Sequence, residues 1–404
     1  MASPENAKAL SPKILVFSLE LHWLGISRLP HALQNAGFEV GIACRAGAFL
    51  AHTKFRSYFL PLPDQLRGEE ILSCLRKIMA EWPPEVIVPG DDRAAIFLAN
   101  AHALLLRMGD SPELAEVIQH SLGHPRGVLE ASSKRQTMEI ARKLGVRVPR
   151  SERIASKEDV RAFGQTHGFP VVLKRSYGSG GDGVVICRTA NEISECYQRV
   201  GREVTLKWRF ARWRDRRRGE ALEAFWQPVD RSITVSQFVA GKAGTAVVAA
   251  VAGRMVAALC AVVEHAQPGD AGHSSVVRIV FNEEMARTAK AMVEHWKLTG
   301  LIGFDFMVDE QEQAWLIECN PRPTPITHLG ERVGNNICRA FHRFLASETP
   351  RLREGTRASP ELVVAHFPQE VWRDPHSPYL EHAFHDVPED DPELLETLRR
   401  AKRQ

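Results

Sequence analysis

Phe304-Asp305-Phe306-Met307-Val308 is followed, after a polar turn, by Ala314-Trp315-Leu316-Ile317-Glu318-Cys319-Asn320-Pro321-Arg322. Two short apolar runs around a turn predict a β-hairpin. Successive strand residues point to opposite faces, so Glu318 and Asn320 share one face and Cys319 takes the other. Asp305, on the partner strand, reaches the Glu318 face. Three hard oxygen donors converging there suit Mg²⁺ or Mn²⁺, with positions left over for water and phosphate oxygens. The strands are otherwise apolar, and a buried carboxylate without a partner is costly. Something positive therefore belongs between Asp305, Glu318 and Asn320. An ion pair from Glu318 to Arg322 is the alternative occupant. Cys319 reads as a core residue and not as a nucleophile.

Upstream stands Lys174-Arg175-Ser176-Tyr177-Gly178-Ser179-Gly180-Gly181-Asp182-Gly183-Val184. Gly178, Gly180 and Gly183 match GxGxxG in form. A strand, Gly183 to Cys187, and not a helix follows them, which excludes a Rossmann turn. Strand, glycine loop, strand is a flap whose backbone N–H groups can close over phosphates. Lys174 ends the first strand and adds a positive charge. A glycine-rich hairpin with a solvated lysine is the plainer reading. Gly178 to Val185 also fits the GxGxxGxV loop of protein kinases, but Lys174 precedes it and no HRD or DFG follows.

Toward the N-terminus, apolar runs at Lys13–Ser18, Phe38–Cys44 and Glu85–Pro89 alternate with helical spacing up to Ala36, over Glu69–Ala80 and over Arg93–Arg107. That alternation predicts a parallel α/β sheet over residues 1–122. Asp91-Asp92 follows the third of these runs, where such sheets face ligands; a second-substrate contact and a helix cap are equal readings of Asp92. Residues 123–346 form a second unit, with a flap lobe at about 150–240, and 347–404 reads as a polar C-terminal extension. Ala246 to Val263 has Arg254 as its one charge and is long enough to cross a membrane. Gly253-Arg254 at its centre and the flanking valines predict two strands and no membrane span.

Composition narrows the classes. Of the 404 residues, 44% are hydrophobic and 25% charged, and the net charge is +3, which excludes disorder and any global nucleic-acid signature. Seven scattered cysteines without a CxxC pair point to free thiols in a reducing compartment. Met1 to Lys13 lacks the apolar core of a signal peptide, so a cytoplasmic location is expected. Lys207 to Arg218 interleaves arginines with Trp208, Phe210 and Trp213. Such a run is usually solvated; the sharper reading is a dock for an anionic substrate or acidic carrier. His265 and His273 read as substrate-loop residues, since their spacing fits no common metal site.

The glycine loop and the acidic hairpin, in this order, make the chain similar to the ATP-grasp superfamily over about residues 125–345. The matching positions are Lys174 with Ser176 to Gly183, Ser236 to Gly241, and Asp305 with Glu318 to Arg322. The resemblance implies an N-terminal α/β domain of pre-ATP-grasp type, followed by a two-lobed α+β ATP-grasp domain. It implies ATP held by Lys134, Lys174, Ser176, Gly178, Ser179, Gly180, Gly181 and Gly183. Gln237, Phe238 and Val239 would form the hinge against adenine. Asp305, Glu318 and Asn320 would carry Mg²⁺. Lys242-Ala243-Gly244 stands where the family often has a ribose-binding acid. Arg278 and Arg322, with Lys174, resemble the residues facing the γ-phosphate and an acyl-phosphate intermediate. The implied reaction activates a carboxylate with ATP for attack by an amine or other nucleophile. A kinase-like phosphotransferase and a non-catalytic ATP-binding module are the alternatives, and a homo-oligomer is compatible with either outcome.

Overall fold

A computed structural model of the chain describes residues 11–65, 67–177, 183–202, 232–268, 272–345 and 362–401. The first unit is a parallel sheet in the order β3-β2-β1-β4. It is built from β1 (Lys13–Phe17), α1 (Leu29–Ala36), β2 (Glu39–Arg45), β3 (Tyr58–Leu62), α2 (Gly68–Glu81) and β4 (Val86–Pro89). The apolar runs of β1, β2 and β4 are buried on both faces, as central parallel strands require. β3 escaped the sequence reading because Pro61 interrupts it; at the sheet edge a missing N–H is tolerated. α3 (Asp92–Met108) follows β4 directly, and its cap is Asp91. Asp91 also accepts from Ser18 Oγ and from the backbone N–H of Leu19 and Glu20, at 2.7, 2.6 and 3.1 Å. One buried carboxylate thus pins the loop after β1 to the start of α3.

Next come α4 (Pro112–Leu122), α5 (Pro125–Ala131) and α6 (Lys134–Lys143). The core does not break at residue 122. Thr299 N donates to Leu122 O at 2.9 Å, and one apolar cluster holds Phe17, Ile87 and Leu98 together with Trp296 and Phe304.

The small lobe is β5 (Ser151–Ile154), α7 (Lys157–His167), β6 (Val171–Arg175), β7 (Val184–Cys187), α8 (Ile193–Arg202) and β8 (Ile233–Gln237). Its strands run antiparallel in the order β5-β8-β6-β7 over a core of its own. A capping box of Ser156 and Asp159 starts α7.

β9 (Lys242–Val251), β10 (Arg254–Ala266), β11 (Ser274–Val280), α9 (Glu283–Trp296), β12 (Gly300–Val308) and β13 (Ala314–Asn320) build the large lobe. The long apolar stretch is the β9–β10 hairpin, turning at Ala252 (φ 49°) and Gly253 (φ 81°). Among the described residues no helix is long and apolar enough to cross a membrane.

After α10 (Ile337–Leu345), the C-terminal part departs from the expected polar extension. β14 (Leu362–His366) pairs with β11, and after α11 (Gln369–Arg373) and α12 (Tyr379–His382) β15 (Phe384–Asp386) adds in parallel to β14. The sheet therefore reads β13-β12-β9-β10-β11-β14-β15. α13 (Pro392–Arg400) buries Leu394 and Leu398 against Phe49 of the first unit. An apolar run as short as that of β14 has too few residues to display a period, so the sequence concealed it.

Candidate active site

The β12–β13 hairpin sets Asp305 directly opposite Glu318 and Gly303 opposite Asn320. A register shift between Asp305 and Phe306 kinks the ladder there. Asn320 Nδ2 donates to Asp305 Oδ2 at 2.8 Å, and Glu318 Oε2 lies 2.9 Å from Lys134 Nζ. Asp305 is pushed up to about 7, first by burial and then by the neighbouring Glu318 charge. Burial also works to raise Glu318, but Lys134 overcomes it and holds that carboxyl below its ordinary value. Two half-buried carboxylates face to face, one drawing in an ammonium and the other resisting ionisation, form a site that wants positive charge. The donor set of two carboxylates and an amide oxygen fits a hard divalent cation. The Glu318–Arg322 ion pair weighed from the sequence is not the arrangement found, since Lys134 takes Glu318.

Lys134 is the first residue of α6, and its backbone N–H donates to Ser176 O at 2.9 Å. Lys174 sits on β6 opposite Thr234 and Val184. Burial first, then repulsion from Lys134, push Lys174 down to about 8 against the pull of Glu318. Lys134 from α6 and Lys174 from the small lobe thus both approach the carboxylate pair. Ser176 is fully buried and its Oγ lies 2.8 Å from Ser232 Oγ, so its side chain braces the lobe. Gly183 holds φ 76° and its carbonyl accepts from Arg175 N at 3.0 Å; a Cβ there would lie 2.1 Å from Arg175 Nε. Gly178, Ser179, Gly180 and Gly181 lie outside the described residues, as does the basic run 207–218.

Gln237 closes β8, its N–H donating to Arg150 O at 2.9 Å, and half-buried Phe238 and Val239 lead from the small sheet to the large one. Gly241 ends that link at φ 151°, where a Cβ would stand 2.1 Å from Val308 O. Only glycine lets the hinge pass so close to β12.

Arg322 emerges from β13 and makes a two-pronged ion pair with Asp92, Nε to Oδ1 at 2.8 Å and the other amino group to Oδ2 at 3.1 Å. Its guanidinium lies 4.7 Å from the ring centre of Trp23, in the loop after β1. The first unit therefore contributes to the site. Sequence reasoning considered Asp92 without finding its partner, and missed Trp23, which no local pattern marks.

Arg278 is the correction. Across the sheet Asp305 aligns with Thr245, Ala261 and Ile279, so alternation sends Arg278 to the opposite face. There its Nε bonds Glu264 at 2.8 Å, and Lys242 Nζ reaches the same carboxyl at 2.8 Å. Those two cations hold Glu264 below its ordinary value.

Comparison with known proteins agrees with this layout. The family model for carbamoyl-phosphate synthase L chain, ATP binding domain, matches residues 133–208, and that for YheC/D like ATP-grasp matches 245–344. The fold is that of the ATP-grasp superfamily. Within this ATP-grasp frame, the chain superposes on the biotin carboxylase domain of Hydrogenobacter thermophilus 2-oxoglutarate carboxylase, solved with MgADP, ADP and bicarbonate. The TM-score is 0.58 at 18% identity, covering 85% of this chain and 71% of that one. An L-amino acid ligase from Bacillus licheniformis superposes with a TM-score of 0.53 at 14% identity, covering 81% of this chain and 72% of that one. In sequence, 53 residues are 40% identical to the biotin-dependent acyl-coenzyme A carboxylase alpha3 subunit of Mycobacterium leprae, 13% of this chain and 9% of that protein. The chain thus matches only a small part of that relative's length.

Proposed function

We propose that this chain is an ATP- and Mg²⁺-dependent ligase that activates a carboxylate as an acyl phosphate for attack by an amine or other nucleophile. The observation that carries the reading is the Asp305–Glu318–Asn320 set facing Lys134 and Lys174 where the two ATP-grasp lobes meet. Asp305, Glu318 and Asn320 would hold the cation, which neutralises phosphate charge when bound. Lys134 Nζ already occupies the position of a positive charge beside Glu318. With a nucleotide in place, Lys134 and Lys174 would hold phosphate oxygens and steer the terminal phosphoryl group toward the incoming carboxylate. The glycine-rich sequence between Lys174 and Val184 would offer backbone N–H donors to the same oxygens. Arg322, fixed by Asp92 and Trp23, places a rigid positive plane at the edge of the pocket, where an acyl phosphate would form. No nucleophilic side chain is needed, which accords with a Cys319 thiol pushed well above its ordinary value by burial. The partners are small molecules, a carboxylate and a nucleophile.

The test is ADP release from MgATP across a set of amino acids and small carboxylates, repeated with Lys174→Ala. Carboxylate-dependent ADP release that collapses in the variant is expected. A stable phosphorylated product with no amide or ester formed would favour a phosphotransferase, and ADP release from none of the set would favour a binding module.

A further inference from the structure

Cys187-Arg188-Thr189-Ala190-Asn191-Glu192-Ile193-Ser194-Glu195-Cys196 runs from the end of β7, through a 3-10 turn at Ala190–Glu192, into α8. By alternation Val185 and Cys187 point into the small-lobe core, and Ile193, Cys196 and Val200 meet them from one face of α8. The chain doubles back over ten residues and sets two thiols together. Cys187 is fully buried and Cys196 is 3% exposed. Glu192 stands half-buried beside them. The two sulfurs and a Glu192 carboxylate oxygen all lie within 4.8 Å of one another.

Two neighbouring cysteines are, by themselves, ordinary small core residues. A carboxylate turned onto them is not. The Glu192 carboxylate is also held in place. Its Oε2 accepts from Arg188 N at 2.9 Å, and its Oε1 accepts from Thr189 Oγ1 at 3.1 Å. Bonds of this kind aim a ligating carboxylate. The thiols donate to backbone carbonyls, Cys187 Sγ to Thr189 O at 3.4 Å and Cys196 Sγ to Ile186 O at 3.9 Å. Sulfur lone pairs and the remaining carboxylate lone pairs are thus left for a shared cation.

The spacing suits a tetrahedral ion. Zinc-to-sulfur bonds of about 2.3 Å and a zinc-to-oxygen bond of about 2.0 Å set the ligand atoms about 3.5 to 3.8 Å apart. A small closure of these side chains completes three corners, and water can take the fourth. Soft thiolates select against Mg²⁺, the opposite preference to that of the all-oxygen set at Asp305 and Glu318. Cys-x₄-Glu-x₃-Cys contains no CxxC, so the spacing alone did not reveal the group.

We propose that Cys187, Glu192 and Cys196 form a second metal site, which takes Zn²⁺ or another thiophilic divalent cation. The site does not depend on the ligase reading. On binding, each thiol gives its proton to solvent and its sulfur ligates as a thiolate beside the carboxylate. Two protons leave as two positive charges arrive, so the net charge of the buried cluster is unchanged. The cation ties β7 to the turn and to α8. In the β6–β7 register Val184 lies opposite Lys174 and Cys187 opposite Val171, so the brace acts on the strand that follows the glycine-rich run, at its end away from Lys174.

The test uses the full chain, reduced with a phosphine, without nucleotide and with Mg²⁺ in excess to fill oxygen sites. Co²⁺ is titrated in, and its thiolate charge-transfer absorption is followed. The wild type should take up one Co²⁺ per chain with that band, and Zn²⁺ should bleach it. Cys196→Ser should abolish the band. Glu192→Gln, at a half-buried position that tolerates an amide, should weaken uptake at least ~10-fold. Cys74→Ser, which removes a half-buried cysteine of α2, should leave the titration unchanged. No band in the reduced wild type, or an equal band in Cys196→Ser, would overturn the proposal. Uptake by Glu192→Gln within ~3-fold of wild type would overturn it too, by removing the carboxylate from the site.

Discussion

One face of the large sheet carries buried polar groups at both ends, and the two ends are treated differently. At the β12–β13 end the charges are answered within the chain: Lys134 meets Glu318, Asn320 meets Asp305 and Asp92 meets Arg322. At the β14–β15 end Asp386 is answered, but Nε2 of His366, which stands opposite it in the β14–β15 register, has no partner among the described residues. Charge is too expensive to bury alone, so a cation site must be provisionally neutralised before its ligand arrives. A neutral hydrogen-bonding atom costs far less and can wait unpartnered. The contrast separates charged groups, which the fold must answer, from a neutral buried imidazole, which it can leave unbonded.

The contrast breaks most severely at Glu318. Glu318→Gln should lower ADP release by about 10³-fold, as expected when a group positioning transition-state charge is lost, read by a coupled nucleotide assay. Arg322→Lys comes next. Lysine cannot reproduce the two-pronged contact, Asp92 is left part-buried, and urea unfolding should show a loss of about 3 kcal/mol.

Asp386→Asn should cost about 2 to 3 kcal/mol by the same argument, since Arg28 and His328 lose their buried partner. Its pH dependence has a definite sign. Asp386 is held well below the usual carboxylate range by His328 and Arg28, although burial opposes them. A depressed carboxyl stabilises the fold above its unfolded value of about 4, and that contribution fades as the pH falls further. Wild type and Asp386→Asn should therefore differ at pH 7 and converge in acid, as followed by thermal melts. Arg278→Ala marks the low end. Its pair with Glu264 is part-buried, but Lys242 stays on the same carboxyl, so the stability change should be about 1 kcal/mol and ADP release should hold near wild type. A large loss of turnover would return Arg278 to the site.

How much was legible follows from how local each signal is. Glu318 and Asn320 were readable because alternation acts over two residues and the surrounding strand is apolar. Lys174 was readable because it ends a short apolar strand, while the glycine run after it lies mostly outside the described residues. The Arg322–Asp92 pair joins positions 230 residues apart, and Trp23 reaches Arg322 from another unit, so neither leaves a local trace. The face of Arg278 depends on how β9, β10 and β11 register against β12, which spacing within one strand does not encode. His366 stayed hidden because β14 was read as part of a polar tail. The site's neighbours in sequence were thus evident, and its neighbours across the sheet were not.

The central claim is that Asp305 and Glu318 grip a divalent cation that bears a nucleotide. Titrating Mn²⁺ with ATP into the wild-type chain and into Glu318→Gln, followed by electron paramagnetic resonance of free Mn²⁺, addresses it most directly. The account predicts saturable, ATP-dependent uptake by the wild type, weakened at least ~10-fold in the variant. Equal uptake by both chains, or none by either, would contradict it.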